Sequence, residues 1–233
     1  MNTFILAGGL GTRIQPLFPD QPKGMIRFRE KPFLEHQMRL LARHGFRQFV
    51  FCIGYKADQI IEYFGDGSRF GWTIEYSVET TPRGTGGALR HAEKFFSATA
   101  LVLNGDTYVD LDYRALVEKH ATRRDAIGTI VVVTMADRAR YGQAILDEDN
   151  RIKAFREKSA EFSGTCLVSA GVYVFEPGIL EQIPSDQTTS LERDIFPAVL
   201  AAGKPLYGSP TPASFIDIGT PLGYERLRAA LAK

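Results

Sequence analysis

The stretch "FILAGGLGTRIQPLFPDQPKG", Phe4 to Gly24, decides how this chain folds and what it can hold. It begins as an apolar run ended by glycine, the pattern of a short buried β-strand. It continues as a loop with Gly8, Gly9 and Gly11, then Thr12 and Arg13, and closes on Pro22-Lys23-Gly24. A glycine-rich loop directly after a strand lets backbone N–H groups approach phosphate oxygens with no side chain in the way. The spacing differs from the dinucleotide fingerprint G-x-G-x-x-G, and no Gly-Lys-Ser/Thr follows as in a Walker loop. Arg13 can clamp a phosphate bidentately, and Lys23 adds a compact charge. For the loop alone, the alternative is a glycine-rich turn carrying two solvated cations.

Outward from this loop, β-like and helix-like segments alternate. "PFLEHQMRLLARHG" places Phe33, Leu34, Met38, Leu41 and Ala42 at helical spacing, with Pro32 before and Gly45 after. "QFVFCIGY" reads as a buried strand, "ADQIIEYFGDG" as a helix, "WTIEYSVE" as an alternating strand, "GGALRHAEKFF" as a helix and "ALVLNGD" as another buried strand. That alternation predicts a parallel sheet with helices on both faces. The second half is richer in strands: "AIGTIVVVTMA", "GQAILDEDNRIKAFREK" with a hairpin turn at Asp149-Asn150, and "CLVSAGVYVFEP". Helices return at "SLERDIFPAVLAAG" and "PLGYERLRAALAK". The fold class expected is α/β, a Rossmann-like, mainly parallel mixed sheet flanked by helices. One domain over residues 1–233 is expected, nucleotide-binding over about 1–110 and binding a second ligand over about 111–233.

Charge narrows the partners. The 233 residues carry 28 Lys+Arg against 27 Asp+Glu, a formal net charge of +1. No bulk field attracts nucleic acid or anionic lipid, so neither is expected as a partner, and an anionic ligand must be held by local charges. Cys52 and Cys166 both sit in apolar runs and read as core residues suited to a reducing compartment. The N-terminus lacks signal-peptide character, and no apolar run is long enough to span a membrane, so the expected location is cytoplasmic.

Further chemistry lies at the ends of strands. "RGTGGALRHA" is a second glycine cluster, in which Gly84, Gly86 and Gly87 would let a flat ligand lie on the backbone. Asp106 follows a buried strand in "LVLNGDTYVDLD", the end of an open α/β sheet where ligands bind. A carboxylate there suits Mg²⁺, which takes one or two protein carboxylates plus substrate phosphates. Asp110 and Asp112 read as capping or solvated residues. Glu157-Lys158 in "AFREKSAEF" and Asp217 in "FIDIGTPLGYERL" each follow a strand. Singly these are an ordinary ion pair and a turn aspartate; together with the two glycine loops, Arg13 and Lys23 they describe a phosphate-and-metal site. The histidines His36, His44, His91 and His120 fall in predicted helices without ligand spacing.

In this order, "LAGGLGTRIQPL…QPKG", "RGTGGA", "LNGD", "FREK", "SAGVYVF" and "FIDIGTP" resemble the sugar-1-phosphate nucleotidylyltransferases, from near Met1 to about Arg228. "KPFLEHQMRLL", "IGYKADQIIEYFGDG" and "VLNGDTYVDLD" are similar to the short guanylyltransferases acting on heptose 1-phosphates. Beyond the resembling stretch, no room is expected for the C-terminal β-helix of larger relatives. The resemblance implies the nucleotide-diphospho-sugar transferase fold. It also implies that a nucleoside triphosphate, GTP first, and a sugar 1-phosphate are the partners, with Mg²⁺ as cofactor and a homo-oligomer left open.

Carried over, Gly8, Gly9, Gly11 and Thr12, with Leu6, Ala7 and Thr85, surround the nucleotide. Arg13 holds the departing pyrophosphate and Lys23 the α-phosphate, while Glu79 and Gly84 lie where relatives read the base. Lys158 contacts the phosphate of the sugar phosphate and Glu157 the sugar. Asn104, Gly142, Ser169 and Gly171 line the sugar pocket, and Asp106 and Asp217 hold the metal. Arg13, Lys23, Asp106 and Lys158 are the expected catalytic residues. The chain departs from the family pattern at Gly24, at Arg83 where relatives often have leucine, and at Ser169 where many have asparagine. A uridylyl- or mannose-type transferase, a nucleotide-sugar-sensing regulatory domain and a nicotinamide-dependent oxidoreductase are the rival readings. The glycine spacing argues against the last.

Overall fold

The computed structural model describes residues 1–135, 142–156 and 164–232. In chain order the elements are β1 (Thr3–Leu6), β2 (Arg27–Phe28), β3 (Lys31–Pro32), α1 (Phe33–Arg43), β4 (Gln48–Ile53), α2 (Ala57–Phe64) and β5 (Thr73–Val78). They continue through α3 (Gly84–His91), β6 (Ala100–Asn104), β7 (Thr107–Val109), α4 (Tyr113–Ala121), β8 (Gly128–Met135) and β9 (Gln143–Leu146). The last are β10 (Ile152–Arg156), β11 (Cys166–Phe175), α5 (Phe196–Ala201), β12 (Leu206–Thr211), β13 (Phe215–Asp217) and α6 (Pro221–Ala230).

Nine of these strands form one sheet in the order β10-β9-β11-β6-β1-β4-β5, with β8 joined to β11 and β12 to β8. The strands β6, β1, β4 and β5 are mutually parallel, as the βα alternation predicts. Beyond β6 the sheet turns mixed: β11 runs antiparallel to β6, β8 and β9, and β12 pairs parallel with β8. The β9–β10 hairpin forms at the expected turn, where Asp147 Oδ1 accepts from the amides of Asp149 and Arg151 and Asn150 takes a left-handed φ of 62°.

The period of two along each central strand sorts side chains to opposite faces. Ile5, Phe49, Phe51, Leu101 and Leu103 enter the core shared with α1, α2, α4 and α6. Phe4, Leu6, Val50, Cys52 and Val102 enter the core shared with α3 and α5. Both cysteines are buried, as expected, and burial pushes the Cys52 thiol well up. Asp112 caps α4, accepting from the amides of Arg114 and Ala115.

Local differences from the expected elements have physical causes. His44 lies just past α1, where the chain turns through Gly45 at φ 91°. The helix expected through Phe96 ends at His91 and continues as a 3-10 turn over Glu93–Phe95. "SLERDI" is a wide π-helical turn, Leu191–Ile195, before α5, and Ser190 caps it by accepting from Arg193 N. No helix of the described residues is long and apolar enough to cross a membrane.

Strand order fixes where ligands can gather. From β1 the chain proceeds to β4 and β5 on one side, then returns to β6 on the other. The loops after β1 and β6 therefore diverge at the carboxyl ends of two adjacent parallel strands, the crevice that open α/β sheets offer.

Candidate active site

The loop after β1 crosses this crevice. Ala7 N donates to Cys52 O at 2.8 Å, which keeps the loop's start in register with β4. Gly11 takes φ 68°, a left-handed turn that favours glycine, and packs on the Lys23 side chain. Lys23 then meets Asp106: Nζ lies 2.5 Å from Oδ2, with both side chains largely buried. Gly24, the family departure, has a plain cause. A Cβ there would lie 2.6 Å from Leu34 on α1, so backbone fills the place of a side chain.

Asp217 reaches the same point from the far end of the chain. A two-stranded antiparallel ribbon, β7–β13, sets Asp217 opposite Thr107, and Ile218 N donates to Asp106 O at 2.9 Å. Asp217 Oδ1 accepts from Gly219 N at 2.7 Å, and Oδ2 lies 3.3 Å from Arg13 Nη2. Burial first, and the neighbouring Asp106 carboxylate second, push the Asp217 carboxyl above its usual range, while Arg13, the Gly219 amide and Lys23 pull it back. Two carboxylates that repel each other across a small gap suit a divalent cation, and with only two of them the ion's remaining ligands would come from phosphates and water. Among the described residues no three metal-ligating side chains cluster.

A cavity of about 410 Å³ opens beside these four charged residues. Arg13, Asn104, Asp106, Thr107 and Gly142 line it, with Ser169, Gly171, Glu192, Phe215 and Asp217. Seven of the expected residues thus share one cavity, and Lys23 joins through Asp106. A bulge in β11 between Ser169 and Tyr173 turns Gly171 to φ 67°. A Cβ on Gly171 would meet Asn104 Nδ2 at 2.8 Å. Ser169 Oγ accepts from Gly171 N at 3.2 Å and so steadies the bulge.

A second feature lies at the Gly8 side of the loop. Glu79 is buried at 9% exposure, and its Oε2 has no hydrogen-bond partner. The Glu79 side chain occupies space that a Cβ on Gly8 or Gly54 would take, at 2.5 Å and 2.8 Å. Burial pushes its carboxyl up, offset by the Arg83 backbone amide and by the charges of Arg83 and His91. Gly9 has no neighbouring atom within 4 Å and stays open.

The second glycine cluster serves a different end from the one expected. Rather than leaving room for a flat ligand, Gly84, Gly86 and Gly87 admit the chain itself: Cβ atoms there would lie 2.3 Å from Thr189 O, 2.7 Å from Thr189 Oγ1 and 3.0 Å from Gln187 O. The amides of Gly86 and Gly87 donate to Thr189 O. Arg83, where relatives often have leucine, continues this seam, since its carbonyl accepts from Thr189 N at 2.9 Å. Thr85 turns its hydroxyl to Glu192 Oε2 at 3.2 Å. Glu157 and Lys158 lie outside the described residues. Glu192, Arg156 and Phe155 line the cavity without having been expected there. In sequence Glu192 looks like an ordinary acidic residue in a helix's first turn, so nothing local marks it.

The nucleotidyl transferase family model matches residues 2–233. The chain belongs to the nucleotidyl transferase family. This nucleotidyl transferase is 34% identical to the UTP–glucose-1-phosphate uridylyltransferase of Synechocystis sp. over 249 residues, covering 100% of this chain and 64% of that protein. It is 36% identical to the mannose-1-phosphate guanylyltransferase of Mycobacterium tuberculosis over 235 residues, covering 100% of this chain and 65% of that protein. The chain therefore spans just under two thirds of the length of these relatives. Its fold superposes on HddC from Yersinia pseudotuberculosis, in a crystal structure complexed with GMP-PN, with a TM-score of 0.83 and 33% identity over 99% of each chain.

Proposed function

We propose that this nucleotidyl transferase moves GMP from GTP to a sugar 1-phosphate and releases pyrophosphate. A D-manno-heptose 1-phosphate is the first choice of acceptor and mannose 1-phosphate the second. The observation that carries the reading is the meeting of Arg13, Lys23, Asp106 and Asp217 beside a cavity at the switch point of the sheet.

The chemistry follows from these charges. An oxygen of the sugar phosphate attacks the α-phosphorus, the bond to the bridging oxygen breaks, and pyrophosphate leaves on the opposite side. A phosphate monoester has a second pKa of about 6, so the attacking group is already ionised near neutrality and no general base is needed. The obstacle is bringing two polyanions together. Lys23 and Arg13 offset that repulsion and stabilise charge at the α-phosphoryl group and on the leaving pyrophosphate. Asp106 and Asp217 would hold Mg²⁺, which when bound neutralises phosphate charge. Alignment of the reactants by the β1 loop and the cavity supplies much of the remaining acceleration. Lys158 and Glu157 are proposed, on the sequence resemblance, to contact the phosphate and the sugar of the acceptor.

Guanine is favoured by Glu79. Guanine presents N1–H and an exocyclic amino group side by side, two donors that match the two acceptors of a carboxylate. A buried carboxylate oxygen without a partner supports that assignment. The choice of sugar draws on the resemblance to heptose guanylyltransferases, on similarity to HddC and on similarity to the mycobacterial mannose enzyme. A GDP-sugar made in this way would serve surface-glycan synthesis. The test is a panel of four nucleoside triphosphates against heptose, mannose, glucose and N-acetylmuramate 1-phosphates, with pyrophosphate release measured. GTP with a manno-configured acceptor should give the highest kcat/KM. Preference for UTP would overturn the guanine assignment, and binding without release would overturn the transferase reading.

A further inference from the structure

Glu192 differs from the other carboxylates of the cavity. Asp106 and Asp217 face cations, whereas the Glu192 carboxylate is held by neutral donors and forms no ion pair among the described residues. Oε1 accepts from the Tyr173 hydroxyl at 2.6 Å and from Asn104 Nδ2 at 3.4 Å. Oε2 accepts from the hydroxyls of Ser190 at 3.0 Å and Thr85 at 3.2 Å. Thr85 Oγ1 in turn accepts from Leu191 N at 2.8 Å, which pins the wide turn to the start of α3. The side chain is thereby fixed in one orientation while its carboxylate lines the cavity.

An anionic group without a cation repels phosphate, so it divides the cavity electrostatically. Phosphates belong with the cations Arg13, Lys23 and Arg156, and the uncharged part of the ligand belongs against Glu192. A carboxylate only accepts hydrogen bonds, and the long Asn104 contact leaves capacity on Oε1 for a stronger donor. A polyhydroxyl ring meets that demand, and a site built to bond a hydroxyl rejects an analogue lacking it far better than an apolar pocket can.

We propose that Glu192 is a specificity-determining residue for the sugar, accepting hydrogen bonds from ring hydroxyls of the bound sugar phosphate. The proposal rests on the transferase reading above. It is tested by calorimetric binding of GDP and UDP, and of their mannose, heptose and glucose conjugates, to the wild type and to Glu192→Gln. At least one conjugate should bind the wild type about tenfold tighter than its parent diphosphate, as a charge-assisted hydrogen bond warrants. Glu192→Gln should erase that gap and leave diphosphate affinity within about twofold. In turnover its KM for the sugar 1-phosphate should rise about tenfold with kcat nearly unchanged. Tyr173→Phe, which removes one donor to Oε1, should narrow the gap in part and carries the comparison if Glu192→Gln fails to fold. A gap that survives, a parallel loss of diphosphate affinity, or no gap for any wild-type pair would overturn the proposal. A gap present and then lost, in a protein that releases no pyrophosphate, would overturn the transferase reading and leave this one standing. Normal release with an unchanged sugar KM in Glu192→Gln would do the reverse.

Discussion

Ile218 N donates to the carbonyl of Asp106 at 2.9 Å, and that backbone bond ties the end of β13 to the turn after β6, the two segments that carry the site's carboxylates. Each carboxylate is then oriented by its own partners, Asp106 by Lys23 and Asp217 by the Gly219 amide and Arg13. Asp106→Asn should cut turnover on the order of a hundredfold or more, by analogy with other lost electrostatic stabilisers. Asp217→Asn should act in the same direction. Equilibrium binding of Mn²⁺ in the presence of nucleotide, followed by electron paramagnetic resonance, should weaken in both variants, and near-normal metal affinity and turnover would remove the residue from the site.

Gly219 sits inside the charge cluster. A Cβ there would lie 2.8 Å from Asp217 Oδ1 and 3.2 Å from both Arg13 Nη2 and Lys23 Nζ. Gly219→Ala should displace these groups, because side-chain ends yield more easily than backbone. A displacement of this kind should lower kcat about tenfold or more while the melting temperature changes little. Steady-state kinetics beside a thermal melt checks both halves.

Gly24 carries the opposite expectation. A Cβ there would meet Leu34 at 2.6 Å in a closed core, so Gly24→Ala should destabilise the fold by about 1–3 kcal/mol through overpacking. Leu34→Ala alone leaves a cavity and should destabilise too, but the double variant Gly24→Ala/Leu34→Ala should lose less than the sum of the two single losses. Urea denaturation of the three variants separates strain from a general loss of packing, since strain predicts non-additivity.

Glu79→Gln should trade stability against selectivity. Burial raises the folded-state pKa of Glu79 above its unfolded value, so the folded state holds the proton more tightly. Stability from this group is present at acid pH and is lost as pH rises through the interval between the unfolded and the raised folded value. The uncharged variant lacks this loss, so it should melt higher than the wild type at neutral pH, and the difference should shrink as pH falls through that interval. On the guanine assignment proposed above, the ratio of GTP to UTP turnover should fall about tenfold or more in the same protein. A melting difference independent of pH would contradict the assignment.

The sheet was largely legible in the sequence because its strands are long enough to show a period. "TFIL", "QFVFCI" and "ALVLN" send alternate residues to two cores, and each ends in a turn where the chemistry sits. Arg13 and Asp106 were visible as charges in the loops that follow such strands, Lys23 as the cation that closes the long loop after β1, and Asp217 as a carboxylate ending a short apolar run. The ribbon that brings the two aspartates together was not, because β7 and β13 have three residues each and show no periodicity. The glycines of "RGTGGA" carried a real signal of close approach, but the approaching group, Thr189, lies about a hundred residues away and leaves no local trace. Glu192 was hidden for a similar reason: its partners Tyr173, Asn104 and Thr85 belong to three different elements.

The ribbon has a consequence for how the chain matures as it leaves the ribosome. Arg13 and Asp217 are 204 residues apart, and β13 is no part of the nine-stranded sheet. All nine strands of the sheet are synthesised before Asp217. The strands of the framework thus precede the second carboxylate in the order of synthesis, and the charge cluster is completed only with β13, long after the glycine loop that first marks the site.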